Sequence, residues 1–123
     1  MVVERDSDIR PVERSGVYQG LFFVLGGSVP LMNDEGTKKL RGGALKAIVE
    51  KRRLDTVSPL REVILAFSVN PDGENTARYV ETLLATAKDA GVTITTLGRG
   101  LSTGSELEYA DPETVKNALQ NRA

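Results

Sequence analysis

Residues 62–80 read EVILAFSVNPDGENTARYV. The first six, EVILAF, form an apolar run rich in β-branched and aromatic side chains, which suits a parallel strand buried on both faces better than an alternating, half-exposed one. Asn70, Pro71, Asp72 and Gly73 then follow as successive turn formers. From Glu74 the spacing becomes helical. In ENTARYVETLLATAKDAG (74–91), Ala77, Val80, Leu83, Leu84 and Ala87 form one apolar stripe, and Gly91 stands where a C-terminal cap belongs. A buried strand, a polar corner and an amphipathic helix in direct succession are the opening of a βαβ unit.

The rest of the chain repeats this alternation. Val2-Val3, LFFVLG (21–26) and VTITTL (92–97) are further strand-like runs. Residues 36–53 carry a weaker helical stripe of Leu40, Leu45, Ile48 and Val49, broken by Gly42-Gly43. In DPETVKNALQNR (111–122), Asp111 is expected to cap a helix that starts at Pro112 and turns Val115 and Leu119 inward. The expected fold class is α/β: about four strands in a mainly parallel sheet with right-handed crossovers, flanked by helices. No repeat, low-complexity tract or linker divides the sequence, so residues 1–123 read as a single domain.

Composition narrows the chemistry. A chain of 123 residues with 40% hydrophobic and 27% charged residues is globular in balance and can bury roughly two thirds of its unfolded surface. No apolar run approaches the ~18 residues of a membrane span. The start, MVVERDSD, is acidic where a secretory signal would be basic and then apolar, which predicts a cytoplasmic protein. The absence of Cys excludes disulfides, thiol nucleophiles and thiolate zinc sites, and the absence of His excludes imidazole ligands and His-based triads. Carboxylates, hydroxyls, Lys, Arg and Tyr remain. The net charge is −1, yet residues 37–61 hold eight basic residues (Lys38, Lys39, Arg41, Lys46, Lys51, Arg52, Arg53, Arg61) against Glu50 and Asp55. A solvated helix face is the favoured reading of that segment, and attraction of a polyanion is the other.

Three carboxylates fall just after strand ends: Glu4 after Val2-Val3, and Asp72 and Glu74 after EVILAF. If those strands are parallel neighbours, their carboxyl ends lie ~5 Å apart. Two carboxylates brought to ~4 Å repel by about 4 kcal/mol at an effective dielectric near 20. A hard cation such as Mg²⁺, which takes oxygen ligands at ~2.1 Å, reverses that sign. On spacing alone, a polar turn capping the next helix is favoured over a metal site. Asp6, Asp8 and Glu13 read as first-turn and solvent-face charges of a short helix. VLGGS (24–28) could offer backbone N–H groups to an anion but lacks the Gly spacing and the Lys of a phosphate loop. In GRGLSTGSELEY (98–109), Arg99, Ser102, Thr103 and Ser105 have no base to activate a hydroxyl, and Tyr109 is better suited to packing than to nucleophilic attack.

Four stretches, VVERDSDIRPVERSGVYQG (2–20), FFVLGG (22–27), EVILAFSVNPDGENTARYV (62–80) and LGRGLSTGSELEYADPETVKNALQNR (97–122), together resemble the Toprim domain of the bacterial RecR family of recombination mediators. The resemblance runs over nearly the whole chain and implies a Rossmann-like Toprim fold. Toprim domains of topoisomerases, primases and nucleases bind Mg²⁺ through a Glu after the first strand and an acidic pair after the third, positions taken here by Glu4, Asp72 and Glu74. The resemblance further implies a non-catalytic role in recombinational DNA repair, ring-like self-association, and contact with RecO and RecF. It also implies that the acidic corner serves partner proteins rather than catalysis. The helix-hairpin-helix and four-Cys zinc finger with which RecR-family proteins begin have no counterpart in this sequence, so no zinc and only weak or indirect DNA contact are expected of it. Three readings stand: a RecR-like interaction and assembly module, a small Mg²⁺-dependent Toprim nuclease using Glu4, Asp72 and Glu74, and an oligomerisation fragment.

Overall fold

A computed structural model describes residues 1–27, 40–97 and 112–122. Its centre is the run that the sequence singles out. In β3 (Glu62–Ala66), Val63 and Leu65 enter one half of the core, and Ile64 and Ala66 enter the other. The period-2 geometry of a strand makes an unbroken apolar run serve two faces at once. The first strand, β1 (Val2–Val3), divides its two side chains in the same way. With β2 (Phe23–Val24) and β4 (Thr93–Thr96) they form a four-stranded, all-parallel sheet in the order β2-β1-β3-β4.

The helices cover both faces. Helices α1 (Ile9–Ser15) and α5 (Pro112–Gln120) enclose Val3, Ile64 and Ala66 with the buried Val12, Val115, Ala118 and Leu119. Helices α2 (Gly42–Arg53), α3 (Pro71–Leu83) and α4 (Ala85–Asp89) enclose Val2, Val63 and Leu65 with Leu45, Val49, Val80, Leu84 and Ala87. Each such Val, Leu or Ile side chain removed from water stabilises the fold by about 1.5–3 kcal/mol. The α/β architecture expected from the sequence is the one observed, and Val115 and Leu119 are buried as expected. Gly91 adopts φ 108°, the left-handed region that a side chain would resist, just after α4. Among the described residues no helix is long and apolar enough to cross a membrane.

Local differences from expectation have packing reasons. Strand β2 covers Phe23–Val24 rather than 21–26, because β1, its partner among the described residues, is two residues long; Leu21 is left exposed. Gly42-Gly43 open α2 instead of breaking it. Gly42 is buried, and a Cβ there would overlap the Tyr79 hydroxyl of α3, so the glycine leaves room for that side chain. The helix expected over 74–91 begins earlier, at Pro71, and is interrupted at Leu84 (φ −99°, ψ 16°), after which α4 resumes. Asp8 is not a solvent-face charge. It is buried, and its Oδ2 accepts the Arg5 N–H at 3.0 Å, closing the short 3-10 turn Asp6–Asp8 ahead of α1; Asp6 and Glu13 are exposed as expected. The Asp111 cap lies outside the described residues.

At the amino end of β3, Glu62 ties three elements together. Its Oε2 accepts from Thr95 Oγ1 of β4 at 2.7 Å and from Arg122 Nε at 2.8 Å, and its Oε1 accepts from Arg122 Nη2 at 3.1 Å. Arg122 Nη1 also donates to Leu119 O at 2.7 Å, which fastens the end of α5 to the sheet. The Arg122 guanidinium, with help from Thr95, holds the Glu62 carboxyl below its ordinary value of 4.5. A depressed carboxylate contributes stability that is complete above the unfolded value and fades as pH falls through the folded one. Because the pair is partly exposed, Arg122→Ala is expected to cost under about 1 kcal/mol at pH 7. Urea unfolding at stepped pH should show the gap between variant and native chain closing as pH drops below 4.5.

Candidate functional site: the carboxyl edge of the sheet

Three neighbouring strand ends meet at Glu4. Its main-chain oxygen accepts the N–H of Gly26, just past β2, at 3.0 Å. Its side chain turns the other way, where Oε1 accepts the Ser68 N–H at 2.9 Å and Oε2 faces the Ser68 hydroxyl at 3.5 Å. Ser68 lies just past β3, so Glu4 bridges both neighbours of β1 at the point where the regular ladder stops. The residue is 6% exposed. A buried carboxylate is tolerated when its oxygens are hydrogen-bonded, and here the donors come from the strand-to-helix connection.

That connection is built from the polar corner. Asn70, in extended conformation (φ −151°, ψ 172°), caps α3 by accepting the Gly73 N–H on Oδ1 at 2.7 Å, and Pro71 follows in the first turn. Thr76, fully buried, donates its hydroxyl to Asp72 O at 2.7 Å. Gly73 is required by approach rather than by φ: a Cβ there would overlap the carbonyl of Ser68. The turn therefore packs directly against the segment that Glu4 holds. Asp72 and Glu74 lie in the first turn of α3, and both are exposed. Acidic residues at a helix N-terminus favour the dipole by about 0.3–1 kcal/mol each, so they stabilise the corner while keeping their oxygens in solvent.

The sheet thus brings Glu4 and the corner carrying Asp72 and Glu74 to one edge, but among the described residues no three acidic side chains are grouped to hold a metal ion. The Glu4 carboxylate is directed at Ser68, and the two carboxylates expected to share a cation with it are exposed. As placed, the three do not fit Mg²⁺, which needs oxygens converging on one point. The Gly26 N–H, a candidate anion donor, is used by the Glu4 carbonyl. Residues 98–109, with Arg99, Ser102, Thr103, Ser105 and Tyr109, lie outside the described residues, as do Lys38 and Lys39. Of the basic segment that is described, Arg41 sits over the Phe23 ring at 4.8 Å and Arg53 pairs with Glu50 at 2.7 Å, whereas Lys46, Lys51, Arg52 and Arg61 are exposed. Sequence reasoning missed Ser68 as the partner of Glu4. The pairing spans 64 positions, and only the strand order reveals it.

The glycine at the corner gives a direct test. Gly73→Ala is expected to destabilise the chain by at least about 2 kcal/mol, since backbone rather than a flexible side chain must move. A Cβ at Gly43, in the first turn of α2, would meet nothing within 4 Å. Gly43→Ala should therefore leave stability unchanged or raise it by up to about 1 kcal/mol. Denaturant midpoints of the two variants check the contrast.

Comparison with known proteins agrees with this architecture. Residues 1–98 match the family model described as Toprim domain, and residues 100–123 match that described as RecR, C-terminal. The chain is 38% identical over 122 residues to the recombination protein RecR of Lactobacillus acidophilus and 40% identical over 122 residues to that of Streptococcus mutans, covering 99% of this chain in each case. It is 38% identical over 121 residues to RecR of Staphylococcus aureus, covering 98% of this chain. It spans 57% of the length of each of these relatives. A parallel sheet with helices on both faces, an acidic corner at its carboxyl edge and a family match over 98 residues lead to one conclusion: the chain belongs to the Toprim family, in the branch similar to recombination protein RecR.

Proposed function

We propose that this chain is an interaction and assembly module of a recombination mediator, acting in DNA repair through protein contacts rather than by catalysis. The observation that carries the reading is the similarity to recombination protein RecR over 99% of the chain. Its contact surface is the first turn of α3. There Asp72 and Glu74 are exposed on a turn fixed by the Asn70 cap and by the Gly73 approach, so two negative charges are presented with little ordering left to lose on binding. The complement of such a surface is a cationic segment of a RecO- or RecF-like repair protein. Self-association belongs to the same reading, and DNA contact is weak or indirect.

The nuclease alternative asks Glu4, Asp72 and Glu74 to share one Mg²⁺, and a metal-assisted cleavage needs that ion to activate water or clamp the leaving oxygen. The engagement of Glu4 by Ser68 favours the interaction reading over it.

Capture of RecO- or RecF-like partners by the native chain and by Asp72→Ala plus Glu74→Ala is the test. Loss of two exposed interfacial charges is expected to weaken capture on the order of tenfold at low salt, with a smaller difference at high salt. Unaltered capture by the double variant removes the corner from the interface. Cleavage of single-stranded, gapped or duplex DNA by the purified chain with Mg²⁺ or Mn²⁺, abolished by the same variant, replaces this reading with the nuclease.

A further inference from the structure

The geometry points to Glu4 as a positioning residue: its carboxylate latches the end of β1 to Ser68 and thereby sets the corner that carries Asp72 and Glu74, rather than gathering with them around a metal ion. The main-chain ladder between β1 and β3 ends at the Val3↔Ala66 pair. Beyond it, the Glu4 carbonyl has turned to Gly26 on the β2 side, so the Ser68 N–H has lost the kind of acceptor a continuing ladder would offer. The Glu4 side chain replaces that acceptor, at 2.9 Å through Oε1. Such a bond to an ionised oxygen is stronger than the ladder bond it replaces. Ser68 is confined on its other side, because its carbonyl packs where a Cβ of residue 73 would be. A chain of direct contacts thus runs from Glu4 through Ser68 to Gly73, between Asp72 and Glu74. The backbone that carries those two carboxylates is thus held by Glu4 and Ser68. The consequence for partner binding rests on the function proposed above.

Amide exchange at Ser68, read by NMR on the full chain, tests the latch. Glu4→Ala should speed exchange on the order of tenfold or more, the scale of a lost hydrogen bond to a charged group. Glu4→Gln should stay within about threefold of the native chain, since the amide oxygen accepts the same N–H and the Ser68 hydroxyl can rotate to accept from the new NH₂. Glu4→Asp keeps the charge and the metal-binding chemistry but is one methylene too short, so its exchange should match Glu4→Ala. If Glu4→Ala fails to fold, the ordering of Gln against Asp decides alone. Protection kept in Asp and lost in Gln overturns the proposal. So does a Mg²⁺ titration of the native chain that shifts the Glu4 carboxylate resonance at millimolar metal and has no effect on Ser68 exchange in Glu4→Gln. Partner capture separates the two layers. Native Ser68 protection together with unaltered capture by the Asp72→Ala, Glu74→Ala variant sinks the proposed contact surface and leaves the latch standing.

Discussion

Val2 and Val3 make a strand of two residues with a neighbour on each side, and the other described elements are arranged around it. The strand is buried, so its backbone groups must bond laterally. Phe23 N–H donates to Met1 O at 2.9 Å and Leu25 N–H to Val3 O at 2.8 Å on one side, while the Val2↔Leu65 and Val3↔Ala66 pairs close the other. Val2 faces the α2–α3–α4 half of the core and Val3 the α1–α5 half. Two residues thus join two strands and two helical layers. Their shortness also limits the sheet: the paired part of β2 is equally short, and by the position of Glu4 the main-chain ladder to β3 is exhausted.

That exhaustion determines the chemistry of the carboxyl edge. A parallel sheet that stops leaves N–H groups there, where loops and helix N-termini also gather. The side chain of Glu4 satisfies one such group, and Asn70 satisfies another in the first turn of α3. Both acceptors are oxygens on side chains of modest length, so the corner is built from short, directed bonds rather than from apolar packing. Asp72 and Glu74 complete it electrostatically by facing the positive end of the helix while staying hydrated. The acidic residues of this edge therefore have a structural rationale in the helix N-terminus itself.

The legible parts of this protein are those written in local pattern. EVILAF reads as a strand buried on two faces because its apolar run has no alternation, and Val80, Leu84 and Ala87 read as one stripe because 3.6-residue spacing survives the interruption at Leu84. Gly91 and the Asn70–Gly73 turn announce themselves by backbone chemistry. Features that depend on what meets in space are illegible. Gly42 looks like a helix breaker until Tyr79 is seen to occupy the room a side chain would need. Asp8 looks solvated until Arg5 N–H closes over it. Glu4 suggests convergence with Asp72 and Glu74, since residue type and strand order both allow it. The competing use of its oxygens by Ser68 lies in tertiary geometry, not in spacing.

The two matched segments, 1–98 and 100–123, meet between β4 and α5, yet the core does not respect that division. Val115, Ala118 and Leu119 of α5 share a cluster with Val3, Val12 and Ile64, so the second segment supplies half of the cover for one face of the sheet. Without it, Val3 and Ile64 would be open to water, at a cost of roughly 1.5–3 kcal/mol for each side chain exposed. The Arg122–Glu62 bond then fixes where α5 ends, at the amino edge of β3, opposite the acidic corner. The acidic corner at one edge and the helix anchorage at the other are thus separated by the length of β3. Charge changes at Asp72 or Glu74 can alter the surface of the corner without disturbing the ion pair that fastens α5.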